Sequence, residues 1–384
     1  MDFSFFFQRT QFLELDENGF YGEQSLFSKT DIYLGDPFPD WQQGDVILLS
    51  VELKRKETEP YYFDLVRKHF YQLSSPHPGV RICDLGHFAP DPKKNDVLSA
   101  FLYVMEHLLK ANKSVVILCD DQVLSYAQFL AYETLEEQIT CVHIDSHLDL
   151  QPYSDEITPS NVNYHILSHG SDFLWHFASL GVQSYYLHDE EIAYYHSHHY
   201  EWIRLSHLKQ NIRIAEPYFR LSHMTIMDLR CMDIAYAPAV ENQTPAGFSL
   251  SEMSILARFA GMSYYPQTLG IYNVNREKEK DEITAQTCAI ILWHFIEGTY
   301  HKVYDYPAAT RSNLMRHRIL LTQSIVKEIV FYHNPQTERW WMEIPYPQNE
   351  GRSELIPVSY YDYLTAKKNQ VPDRWWIFSR KLGM

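Results

Sequence analysis

The chain has 384 residues, 45% of them hydrophobic, with 49 acidic against 33 basic side chains and a formal net charge of −16. That length and apolar content can bury a large core. The acidic balance argues against nucleic acid, which would call for a basic stripe, and equally against an anionic membrane surface. A small molecule or another protein is the expected company. The five cysteines (Cys83, Cys119, Cys141, Cys231, Cys288) are widely spaced and form no CxxC pair. They read as reduced, buried thiols in a cytoplasmic protein. The N-terminal "MDFSFFFQRTQF" has no basic n-region and makes a poor signal peptide. No apolar run approaches the roughly 18 residues of a membrane span.

In chain order, "DVILLSVE" (45–52) reads as a strand and "YYFDLVRKHFYQL" as the helix after it. "GVRICDLG" (79–86) leads through a Pro-rich loop to "DVLSAFLYVMEHLLKA", whose apolar residues recur at helical spacing. "SVVILCDD" (114–121) precedes "VLSYAQFLAYETL". Further strands are read in "ITCVHIDSH", "SYYLHDEE", "HMTIMDLRCMD" and "TLGIYNVN", the last followed by the helical "EITAQTCAIILWHFIEG". This alternation predicts an α/β fold with a parallel sheet covered on both faces. From about residue 325 the character changes. "EIVFYHNPQTERWWMEIPYP" and "VPDRWWIFSRK" suggest an appended, mostly β or irregular piece. The expected division is residues 1–325 as the α/β domain, with 1–44 as a lead-in, and 326–384 as an extension packed on it.

Ligands of such sheets bind at the carboxyl ends of the strands. Polar residues collect there: Asp120 and Asp121, Asp145, Asp228 and Asn273. Each alone also reads as a loop-entry or helix-capping residue. In "CVHIDSHLDLQP" (141–152), Asp145, His147 and Asp149 alternate at period two, which aims them to one side if the strand continues. Three such groups need a cation among them, because unpaired they would repel and be costly to desolvate.

Taken with "TIMDLRCMDIAYAPAV" (225–240), the motif "DSHLD" resembles the metal strands of the ureohydrolase superfamily of arginases, agmatinases and formimidoylglutamases. "AGFSLSE" (246–252), "YNVNREKEKDEITAQ" and "CDDQVL" (119–124) extend the resemblance in the right order over about residues 45–300. The C-terminal Trp pairs look like a formimidoylglutamase-like branch. The resemblance implies a three-layer αβα fold, homo-oligomeric assembly, and two manganese ions. Those ions hold a hydroxide that attacks an amidine or guanidine carbon.

Carried over by position, the first ion would take Gln122, Asp145, Asp149 and Asp228. Gln122 stands where the family has histidine. The second ion would take Asp145, His147, Asp228 and residue 230, where the family has an acid and this chain has Arg230. An amide oxygen is a weaker manganese ligand than imidazole. An arginine removes an anionic ligand and adds a fixed charge. Guanidinium and dication about 4 Å apart repel by several kcal/mol even at an effective dielectric of roughly 20. At most one divalent ion (manganese, magnesium or calcium) is expected, with Arg230 replacing the second and bonding Asp145, Asp228 or both.

By the same resemblance Glu252 falls where the family binds the substrate amidinium, although "SLSE" also reads as a capping box. His165 falls in the substrate loop, sometimes the place of a proton-shuttling histidine. The catalytic set is thus Asp145, Glu252 and His165. The run "YYHSHHYEW" (194–202) reads as a solvated aromatic helix face and not as a metal tract. The expected function is hydrolysis of a C–N bond in a small amidine or guanidino substrate. The alternative is a catalytically silent relative acting as a binding or assembly module.

Overall fold

Alternation along each apolar run decides which layer a side chain joins. The computed structural model describes residues 3–15, 21–77, 79–91, 96–151, 153–170, 172–306, 314–322, 324–347 and 351–383. Part of the Pro-rich loop near residue 90 lies outside them. The strands of the main sheet are β1 (Phe7–Gln8), β2 (Thr30–Ile32), β3 (Val46–Val51), β4 (Ile82–Phe88) and β5 (Ser114–Cys119). They continue with β6 (Ile139–Ile144), β7 (Leu174–Val182), β8 (Glu201–Arg204), β9 (Met224–Asp228) and β10 (Thr268–Tyr272). Their order is β1-β4-β3-β5-β10-β9-β6-β7-β8, with β2 also on β4. Every pairing is parallel except β1 with β4.

On β3, Val46 and Leu48 join one core while Ile47, Leu49 and Val51 join the other. β5 and β6 divide in the same way, as period two requires. One face is covered by α1 (Phe63–Gln72), α8 (Leu250–Gly261) and α9 (Ile283–Tyr300), with the short α6 (Leu205–Gln210) and α7 (Glu216–Phe219) beside them. The other carries α2 (Val97–Lys110), α3 (Leu124–Leu130), α4 (Val162–His169) and part of α5 (Asp189–Ser197). The fold is α/β in three layers around a mainly parallel sheet. No helix among the described residues is long and apolar enough to cross a membrane.

Three readings are corrected. "SYYLHDEE" is not a strand. The strand precedes it, in the nine-residue β7, and 184–186 is a short 3-10 turn leading to α5. The run 194–202 spans the end of α5 and the start of β8, and its Tyr195 is fully buried. The C-terminal piece takes the β form expected of it, and only its lower bound moves. β11 (Met315–Leu320), β12 (Glu328–Asn334), β13 (Arg339–Pro345) and β14 (Ser353–Val358) form an antiparallel sheet, so it starts ahead of residue 326. Helices α10 (Tyr360–Lys367) and α11 (Asp373–Lys381) follow.

Trp340 and Trp341, adjacent on β13, point to opposite faces. Trp340 joins the core beneath Trp375 and Phe378, and Trp341 packs toward Tyr306. Buried polar contacts tie the piece to the main sheet. Arg220 donates to the Trp340 carbonyl at 2.6 Å, Arg374 pairs with Glu201 at 3.3 Å, and Lys381 donates to the Trp175 carbonyl at 2.7 Å.

Candidate metal centre

Four neighbouring strands, β5, β10, β9 and β6, deliver the polar residues at their carboxyl ends. β6 stops at Ile144, so the period-two extension through Asp149 does not hold. The chain bends at 145–147, and Asp149 takes a left-handed φ of 54°. This turn returns Asp149 to Asp145 and leaves His147 outside. His147 is about a third exposed, stacks on Tyr186 at 4.1 Å and bonds Ser146 Oγ through Nδ1 at 2.8 Å. Its Nδ1 stays 3.9 Å from Asp145.

β9 likewise ends at Asp228, and residues 229–231 form a 3-10 turn capped by the Asp228 side chain. The turn folds Arg230 back over its own cap. Arg230 Nε donates to Asp228 Oδ2 at 2.6 Å, and its backbone N–H to Asp228 Oδ1 at 2.7 Å. Its Nη2 donates to Asp145 Oδ2 at 2.9 Å and Gln122 Oε1 at 3.0 Å, and reaches both oxygens of Asp149 at 3.3 and 3.2 Å. These are the four residues that the resemblance assigned to the first ion. The guanidinium thus lies against that whole set, bonding Asp145 and Asp228 as expected and reaching Gln122 and Asp149 as well.

Asn273, at the end of β10 with φ 70°, donates from Nδ2 to Asp228 Oδ2 at 2.6 Å and to Gln122 Oε1 at 3.1 Å. Its Oδ1 accepts the Gln122 backbone N–H at 3.0 Å. Asparagine tolerates the left-handed region better than most residues. Gln122 Nε2 in turn donates to Asp149 at 3.0 Å.

One guanidinium cannot neutralise three buried carboxylates, and their pKa shifts divide accordingly. Burial favours the neutral form of Asp145, but the adjoining guanidinium, with His147 and His143, overrides it and holds Asp145 well below the usual carboxylate range. Burial, then the charge of Asp145, push Asp228 up to about 7 despite Arg230. Asp149 is raised by burial first and by both other acids. Arg230, surrounded by acids, stays protonated.

His143 belongs to the same group and was not singled out in the sequence. Its Nε2 lies 3.6 Å from Asp149, 3.8 Å from Asp145 and 3.2 Å from Gln122 Nε2, and its Nδ1 lies 3.2 Å from Ser179 Oγ. Burial lowers its pKa to about 4, so it is neutral at pH 7. His143, Asp145 and Asp149 offer ligand atoms all within 4.8 Å of one another. The signal was present: 143 and 145 share one side of the strand.

Glu252 and His165 are not brought to Arg230. Glu252 is the third residue of α8, closing a capping box with Ser249 and pairing with Lys209 at 3.2 Å. His165 lies on α4 near Tyr126, its buried Nε2 without a hydrogen-bond partner among the described residues. Asn163, two residues earlier and so on another face of the helix, is the residue that reaches His143.

A three-layer α/β fold with carboxylates converging at the ends of adjacent parallel strands defines the class. The Arginase family model matches residues 63–297, and the chain belongs to that family. Solved structures with the same fold include formiminoglutamase from Trypanosoma cruzi with Mn2+, 16% identical over 73% of this chain and 99% of that one, TM-score 0.60. Formimidoylglutamase from Bacillus subtilis is 16% identical over 68% and 89%, TM-score 0.56. A hypothetical agmatinase from Burkholderia thailandensis is 15% identical over 68% and 87%, TM-score 0.56. No curated protein matches.

Proposed function

We propose that this arginase-family chain keeps the fold but not the metal-dependent chemistry, and that it works as a binding or assembly module. The observation that carries this reading is the position of Arg230 Nη2, 2.9–3.3 Å from oxygens of Asp145, Gln122 and Asp149. A manganese ion does not fit among these donors while the guanidinium is there, because the same lone pairs are already spent and two cations would share one pocket. Arginine cannot take the ion's place in the reaction, since its guanidinium neither deprotonates nor generates a hydroxide. The chain is further taken to be homo-oligomeric, with the C-terminal extension packed on the body and not independent.

The compact group of His143, Asp145 and Asp149 supports a second reading. If Arg230 turned away, those residues with Asp228 would hold a single ion. The protein would then be a formimidoylglutamase-like hydrolase of a small amidine or guanidino compound.

Metal analysis of protein purified without chelator, paired with an assay on N-formimidoylglutamate, separates the two. The proposal expects well under one manganese per chain and no hydrolysis. Near-stoichiometric manganese together with hydrolysis would overturn it. The double change Gln122→His with Arg230→Asp is expected to gain manganese binding, though activity need not return with it.

A further inference from the structure

A cavity of about 800 Å³ lies where the family body meets the C-terminal sheet. It shares no residue with the Arg230 centre, so its fate is independent of the reading above. Its size falls in the range of small-molecule sites, which concentrate at seams between structural units.

The wall carries four arginines (Arg213, Arg220, Arg258, Arg339) against two glutamates, in a chain whose net charge is −16. The one buried-side acid, Glu216, is fully engaged. Arg220 grips both its oxygens, and Arg339 Nε adds a contact at 3.1 Å. The other, Glu338, is largely exposed and faces His333. Arg339 is also held by Asp305 at 2.8 Å. Among the described residues Arg258 uses only Nε, on Glu297 at 2.7 Å, which leaves the outer edge of its fork unspent there. Arg213 is exposed, and its side chain has no partner among the described residues.

The same cavity is also lined by rings. Tyr360 and Tyr361, each about half exposed, open the first turn of α10, with Trp340 5.5 Å from Tyr360. The N-terminus of α10 is already capped by Asp362 through its box with Ser359. An anion would therefore be met by the arginine forks and not by helix N–H groups.

We propose that this seam cavity binds a small anion carrying an aromatic ring. The anionic group would lie between Arg213 and Arg258, as charge-assisted fork contacts allow. The ring would rest against Tyr360. A phosphate and a carboxylate would both satisfy the forks, so the probes must include each.

The full-length protein is titrated, by calorimetry and tryptophan fluorescence, with adenosine 5′-monophosphate, benzoate, adenosine and inorganic phosphate. A ring-bearing anion should bind one per chain, about tenfold or more tighter than adenosine or phosphate, since both halves contribute. Arg213→Ala and Tyr360→Ala, at exposed positions that leave the fold intact, should each weaken that binding about tenfold. Arg213→Glu should abolish it. No binding by either ring-bearing anion, equal binding of the nucleotide and its nucleoside, or unchanged binding by Arg213→Glu would overturn the proposal.

Discussion

Arg230 is the residue on which the centre turns. Its guanidinium contacts Asp145, Asp149 and Asp228 at once and keeps Asp145 ionised, so removing it would strand that buried charge. Arg230→Ala should therefore destabilise the protein by about 3–5 kcal/mol, read from urea unfolding. Added manganese should recover part of that loss, since the ligands would then be free. A loss under about 1 kcal/mol would show that the acids simply take up protons. Glu52, at the end of β3, offers a cleaner view of burial. It accepts the Phe63 N–H at 3.2 Å, and burial above all pushes its pKa up to about 7. A raised acid holds its proton longer in the folded state, so its effect on stability worsens as pH rises from about 4.5 to about 7 and is constant beyond. Glu52→Gln should gain roughly 1–3 kcal/mol over the parent at pH 8 and little at pH 4.5, in paired unfolding curves. An equal effect at both values would refute this.

Elements matter here through where they stop. β6 and β9 each end one residue earlier or at the acid itself, and the turns that follow, not the strands, bring Asp149 and Arg230 inward. Sequence alternation predicted the side of Asp145 but could not foresee that the chain would leave the strand geometry directly after it. That is why His147 was expected inside and is found at the rim. At α8 the local signal was complete: "SLSE" forms the capping box it spells. Ser249→Ala should cost about 1 kcal/mol in thermal or urea unfolding, because the Glu252 N–H loses its side-chain acceptor. At α11, Arg374 pairs with Glu201, whose pKa falls to about 2 because Arg374 and His176 outweigh its burial. Arg374→Ala should cost about 3–5 kcal/mol and raise hydrogen exchange in α11 before the main sheet. Uniform exchange would contradict it.

The whole molecule is a sheet buried on both faces with a second sheet fastened to one side. Trp341 is fully buried where the two meet, and Arg220 spans them. Deleting residues 315–384 should therefore leave the body aggregation-prone, checked by light scattering of the truncated chain. A well-behaved, folded remnant would show the body independent. By itself the sequence determined the parallel α/β body, because strand and helix periodicities are local and each run carried its own. It also determined the chemistry available at the centre, since Arg230 stands two residues after Asp228 whatever the fold does. Only the tertiary structure decided which ligands that arginine meets. Gln122, Asp145, Asp228 and Asn273 come from four strands far apart in the chain, and their distances depend on strand order and on two turns. The same holds for the four arginines of the seam, which no linear motif connects.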